Sequence, residues 1–253
     1  MNKWINHYTK KQGCAHRLFC LPYAGGAASK YASWKRSIPD NAEIVPIQIP
    51  GRESRIREPF AQDFTSLAAE IAENIAKFSS DRMPFSVFGH SMGGSMAFEV
   101  TKELERRGNP PMICFISSTD LVSMQNLPSV SAMTDTQLFE LVAKYGAGED
   151  LETLKVFPRF YQLFMRIIRA DFVMLQKYRM NRMEKISTPI CAYYSDCDKL
   201  VNENMMGMWQ NMTRGGFRCK CFTGDHFYLF RESRPLLRDI FQSIRAKNAE
   251  RWS

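Results

Sequence analysis

Gly89-His90-Ser91-Met92-Gly93 carries the most evident chemistry in this 253-residue chain. The pentapeptide ends an apolar run, Phe85 to Phe88, and leads into helix-forming residues. A serine hydroxyl is a poor nucleophile at neutral pH and needs exposure, a base and a site for the oxyanion. A sharp strand-to-helix turn supplies the exposure, and the absence of side chains at 89 and 93 lets strand and helix approach. The same turn puts Ser91 at a helix N-terminus, where backbone N–H groups face a developing negative charge. The alternative is a glycine-rich turn whose serine only caps the helix.

A nucleophilic serine requires a base, and the chain has four histidines. His7 lies in a polar N-terminal segment, His16 opens the first predicted strand, and His90 should leave the turn in a different direction from Ser91. His226 remains. It follows the apolar alternation Phe217 to Phe222, a predicted last strand, and a histidine just past such a strand reaches across the top of a sheet. The third member should be an acid between Ser91 and His226. Pro189 to Tyr194 reads as a buried strand that runs into Ser195-Asp196-Cys197-Asp198. Either aspartate could orient the imidazole. Asp198 is the first choice, because Asp198-x-x-Val201 matches the usual acid loop of α/β-hydrolases. Asp196 is the second, with a turn-capping role otherwise. Asp225 reads as a turn residue.

Strand and helix periods alternate around these residues. Leu18 to Leu21 and Glu43 to Ile49 are predicted strands. Phe64 to Phe78 repeats Phe64, Leu67, Ala68, Ile71, Ile75 and Phe78 on one helical face. Met92 to Arg107 is the next helix, stopped by Gly108, and Met112 to Ser117 the next strand. Alternation of this kind implies a mostly parallel sheet with helices on both faces. It breaks between about residues 120 and 187, where two helical patterns, Asp135 to Tyr145 and Phe157 to Met180, flank Gly146-Ala147-Gly148. The division expected is a single domain, 1–253, with an insertion at about 120–187.

Composition narrows the setting. No run of about twenty apolar residues predicts a membrane span, and Met1 to Gln12 is polar and basic, unlike a secretory leader. Seven scattered cysteines without a CxxC pair read as reduced thiols in the cytoplasm. No metal or cofactor is expected. The net charge of +8 is spread along the chain without a nucleic-acid motif, which argues against nucleic acid as partner.

Several segments together resemble a known family. Leu21-Pro22-Tyr23-Ala24-Gly25-Gly26, Pro50-Gly51-Arg52-Glu53, Gly89-His90-Ser91-Met92-Gly93-Gly94, Arg169-Ala170-Asp171 and Gly224-Asp225-His226-Phe227 are similar to the type II thioesterases of nonribosomal peptide and polyketide synthesis. Animal medium-chain acyl-carrier-protein thioesterases belong to the same group. The resemblance spans about Leu18 to Phe230 and implies an α/β-hydrolase fold with a helical lid. Two positions depart from the family's pattern: Ser195 stands where glycine is usual, and Ser117-Ser118 where a Ser-Gly pair is usual. In such hydrolases one oxyanion donor is the N–H after the nucleophile, here Met92. The second comes from the loop after an early strand, here Ala24 or Tyr23. The insertion's Phe139, Phe160, Phe164, Met165, Phe172 and Met174 suit an apolar cover over an acyl channel, or simply core packing. Arg52 and Arg55 could meet acidic groups of a partner, but an internal pair of Arg52 with Glu53, Asp171 or another carboxylate is favoured.

The function expected is therefore hydrolysis of acyl or aminoacyl thioesters from the phosphopantetheine arm of an acyl or peptidyl carrier protein, by Ser91, His226 and Asp198. A small-molecule carboxylesterase would use the same triad. A non-catalytic binding protein of this fold would not need one.

Overall fold

The computed structural model describes residues 2–5, 7, 8, 10–121, 129–144 and 154–250. Six strands form one sheet: β1 (His16–Leu21), β2 (Ala42–Pro46), β3 (Phe85–His90), β4 (Cys114–Ser117), β5 (Ile190–Ser195) and β6 (Phe217–Phe222). The order is β2-β1-β3-β4-β5-β6, and every neighbouring pair is parallel. All strands therefore end at the same edge. Because β2 and β3 lie on opposite sides of β1, the chain reverses direction between β1 and β3. Loops leaving those two strands diverge there and open a crevice, the usual ligand position in such sheets.

Alternate residues feed the two faces, as a pleat requires. Phe19 and Leu21 of β1, Val87 of β3, Cys114 and Ile116 of β4, and Ile190 and Ala192 of β5 enter one core. Leu18 and Cys20, Phe88, Phe115, and Cys191 and Tyr193 enter the other. The first core is closed by α2 (Phe64–Phe78) and α3 (Met92–Arg106). Asp63 starts α2 by accepting the Ser66 N–H at 2.7 Å, and the helix buries the apolar stripe read from the sequence. Gly108, at φ +72°, lies just beyond the end of α3. The second core is closed by the C-terminal helix, Arg234–Glu250, with Tyr31 and Trp34 from the segment after β1.

The sequence placed these elements well and their ends less well. The second strand stops at Pro46, three residues short of Ile49, because the ladder with β1 ends there, although Ile47 N–H still reaches the Cys20 carbonyl at 2.9 Å. Between β4 and β5 the described residues hold no strand longer than an isolated bridge at Ile186. They hold α4 (Asp135–Val142), capped reciprocally by Thr134 and Gln137, and α5 (Pro158–Lys177), with proline at its first turn. Tyr145 and the Gly146-Ala147-Gly148 separator lie outside the described residues. Val130, Leu138, Phe139, Val142, Met165, Ile168 and Phe172 join these helices in a third apolar cluster.

Phe88 is fully buried, with its ring 5.1 Å from Trp34 and 6.1 Å from Tyr31. Phe88→Ala is expected to cost about 3–5 kcal/mol, read as a lower denaturant midpoint at unchanged slope.

Candidate active site

The turn after β3 is built by close backbone approach. A Cβ on Gly89 would lie 1.7 Å from the Gly93 carbonyl oxygen, and one on Gly93 would lie 2.6 Å from the Leu21 carbonyl oxygen. With no side chain at either position, α3 begins directly against the ends of β1 and β3. Ser91 takes φ +53°, ψ −123°, a conformation that costs of order 1–3 kcal/mol and is held by the Ser91 N–H bond to the Ser117 carbonyl at 2.8 Å. Its hydroxyl makes no capping bond to α3, so the serine is not there to cap the helix. Met92, the first residue of α3, has an N–H with no acceptor inside the helix.

His226 and Asp198 come together past the ends of β6 and β5. His226 Nδ1 and Asp198 Oδ2 are 2.9 Å apart, with side chains 4% and 0% exposed. The second Asp198 oxygen accepts the Leu200 N–H at 2.9 Å. Burial alone would raise the Asp198 carboxyl. The hydrogen bond and charge attraction of His226, with the Leu200 N–H, outweigh it and hold the group below the usual aspartate range. An ionised carboxylate only accepts, so in a neutral His226 the proton sits on Nδ1 and Nε2 is an acceptor. Asp196 is exposed and instead accepts the Gly224 N–H at 2.9 Å. Its backbone N–H reaches Phe222, Cys197 N–H reaches Gly224, and the Ser195 hydroxyl donates to the Asp225 carbonyl at 2.7 Å. These bonds stitch the two loops together, and the serine at 195 adds one that glycine could not make. Asp225 accepts the Phe227 N–H and pairs with Arg231, as a turn residue does.

The other histidines are engaged elsewhere. His7 meets Glu53, and His16 meets Ser86 on the sheet. His90 is fully buried with its ring 4.7 Å from His226. Its Nδ1 lies 2.9 Å from the Ser117 hydroxyl, which lies 3.0 Å from the Tyr228 hydroxyl. Burial, then the neighbouring His226, push the His90 pKa far down, so it stays neutral. Sequence reasoning did not find this Tyr228–Ser117–His90 row; only the fold brings its members together. Ser118, where the family pattern has glycine, takes φ +47°, the left-handed region that glycine occupies without strain.

Across the crevice, the loop after β1 makes a type II turn over Tyr23–Gly26, with Gly25 at φ +79° and the Gly26 N–H bonded to the Tyr23 carbonyl at 2.8 Å. The Gly25 N–H goes to Asp171. Among the described residues the Ala24 N–H takes no hydrogen bond. The Tyr23 ring packs against Phe227 at 5.2 Å and Phe230 at 5.4 Å. Arg52 forms a two-pronged pair with Asp171, the internal pairing favoured from the sequence, and Arg55 pairs with Glu58. Of the six residues suggested as an apolar cover, Phe139, Met165, Phe172 and Met174 are buried, Phe164 is half-buried and Phe160 is 63% exposed. Among the described residues no helix is long and apolar enough to cross a membrane.

The lowered Asp198 value has a consequence for stability. A folded value below the unfolded one stabilises fully above about pH 4 and less as pH falls through the folded value. The melting-temperature difference between wild type and Asp198→Asn is therefore expected to shrink as pH falls below about pH 4.

Comparison with known proteins places this geometry. Residues 16–247 match the model of the thioesterase domain. The gramicidin S biosynthesis protein GrsT of Aneurinibacillus migulanus is 26% identical over 253 residues, covering 97% of this chain and 95% of that one. The solved structure of RedJ, a thioesterase from the prodiginine biosynthetic pathway in Streptomyces coelicolor, superposes with a TM-score of 0.81 at 27% identity, covering 92% of this chain and 88% of that one. The type II thioesterase BorB from the borrelidin biosynthetic cluster gives a TM-score of 0.81 at 27% identity, covering 94% of this chain and 96% of that one. The chain belongs to the thioesterase domain family.

Proposed function

We propose that this thioesterase hydrolyses acyl or aminoacyl thioesters held on the phosphopantetheine arm of a carrier protein, with Ser91, His226 and Asp198 as its triad. The observations that carry the reading are the buried 2.9 Å bond between Asp198 and His226 and a serine held strained at a strand-to-helix turn. GrsT and BorB belong to gramicidin S and borrelidin biosynthesis, which supports a carrier-bound substrate. Seven unbonded thiols fit a cytoplasmic setting.

In this mechanism the Ser91 hydroxyl oxygen attacks the thioester carbonyl carbon as its proton passes to His226 Nε2. The carbonyl oxygen becomes an oxyanion held by the Met92 and Ala24 N–H groups. The C–S bond then breaks, and His226 returns the proton to the departing sulfur. Water enters, gives its proton to His226 and attacks the acyl-serine ester. A second oxyanion collapses to release the acid, and His226 reprotonates Ser91. Asp198 keeps the imidazole in the required tautomer and stabilises the imidazolium. The helices between β4 and β5 act as a lid over the acyl group, with the third apolar cluster as its underside.

Kinetics on an acyl carrier protein test the assignment. Ser91→Ala should fall to the remnant that binding and the oxyanion site supply, about 10³–10⁴ over water. Asp198→Asn should cost on the order of 10⁴ in kcat, and Asp196→Asn far less. The reverse ranking would transfer the role to Asp196.

Substrate form is tested separately. Contacts remote from the thioester raise the rate with the larger substrate, so kcat/KM should be higher for acyl carrier protein than for the same acyl group on a minimal thiol. The chain's +8 charge makes part of this advantage electrostatic, and that part should shrink with salt as screening shortens to about 8–10 Å. Equal efficiency on both forms at low salt would point instead to a small-molecule esterase.

A further inference from the structure

Asp171 and Arg52 are 4% and 3% exposed at their side chains and come from different parts of the chain, α5 and the loop after β2. Arg52 Nη2 donates to Asp171 Oδ1 at 2.6 Å, and Nη1 donates to Oδ2 at 2.8 Å. Neither side chain ends its bonding there. Asp171 Oδ2 also accepts the Gly25 N–H at 2.8 Å, and Arg52 Nη1 also donates to the Gly26 carbonyl at 3.0 Å. The ion pair thus grips both glycines of the Tyr23–Gly26 turn, one by its N–H and one by its carbonyl. The same turn is pressed by α5, since a Cβ on Gly25 would lie 3.0 Å from both Phe164 and Ile168. On its other side the strand leading into it abuts α3 at Gly93.

A buried ion pair adds little net stability over apolar residues of the same shape, because desolvation cancels most of its attraction. Its geometry does more. With the Gly25 and Gly26 N–H groups both committed, the N–H of Ala24 is left over in a turn that cannot rotate without breaking a charge-assisted bond. Arg52 also neutralises a carboxylate that, unpaired, would oppose a negative charge forming nearby. We infer that Arg52 and Asp171 are positioning residues for the oxyanion site, holding the turn that presents the Ala24 N–H and making that presentation depend on the seating of α5. The inference rests on the Ser91 reading above.

The test separates stability from positioning. The probe is an alkyl trifluoromethyl ketone: the Ser91 oxygen adds to its carbonyl carbon, the serine proton moves to His226, and the ketone oxygen becomes an oxyanion in the same place as in the reaction. Arg52→Met and Asp171→Leu alone should each lower the melting temperature, since each strands a buried charge. The double variant should recover most of it. Its kcat should nevertheless stay down by about 10²–10³, the usual loss for one oxyanion donor, with a similar loss of ketone affinity and little change in KM. Arg52→Lys provides the variant that keeps the charge without the fork. It should stay folded and lose ketone affinity more than it raises KM. Wild-type kcat and ketone affinity in the folded double variant or in Arg52→Lys would overturn the inference alone. Failure of the wild type to form a ketone adduct that Ser91→Ala abolishes would overturn the Ser91 reading and this inference with it.

Discussion

The site depends on how closely one piece of backbone passes another. At Gly89 and Gly93 there is no room for a methyl group: the nearest backbone oxygens would lie 1.7 and 2.6 Å from one. Only with both positions bare can α3 start at the ends of β1 and β3. That contact forces Ser91 into its strained dihedrals and frees its hydroxyl from capping. It also brings the first N–H of α3 beside the chain that continues into the Tyr23–Gly26 turn. The strain is affordable because most of α3 is buried, from Met92 to Thr101, against the sheet and α2.

The sheet order supplies the rest. The crevice opens between β1 and β3, while the Asp198 and His226 loops follow β5 and β6, two and three strands from β3. Those loops are stitched into one unit, through Ser195, Asp196 and Cys197 to residues 222–225. His90 fills the space beneath His226. Held neutral by burial, it adds no charge that would compete with the imidazolium expected to form there. Asp198 is the carboxylate bonded to His226. The buried Arg52–Asp171 pair links α5 to the Tyr23–Gly26 turn.

Much of this was legible in the sequence. The apolar runs at Leu18–Leu21 and Phe85–Phe88 fall within β1 and β3, whose residues are buried on both faces, and the alternation Phe217 to Phe222 coincides with β6, at the sheet's edge. The elbow was legible because steric exclusion at 89 and 93 writes itself as glycine. The spacing Asp198-x-x-Val201 ranked Asp198 ahead of Asp196 without excluding Asp196, since both follow β5 within three residues. What distinguishes them is burial: the Asp198 side chain is covered and meets His226, whereas Asp196 is exposed and closes the loop on Gly224. Arg52 and Asp171 were recognisable as motif residues, yet they stand 119 positions apart, and only the fold shows that both hold the turn at Gly25 and Gly26. The second strand was read three residues too long because Ile47 and Ile49 are buried without being in the ladder. Apolar content between β4 and β5 could not distinguish cover from core, and its residues divide between buried and exposed positions.

The central claim is that the acyl group passes through Ser91. Its most direct test is rapid acid quench of the enzyme mixed with a carrier protein bearing an acyl group, followed by peptide mass spectrometry. The expected result is a single acyl increment on the peptide containing Ser91, formed before product and lost as product appears. An increment on any other residue, or undiminished product formation by Ser91→Ala, would contradict the account.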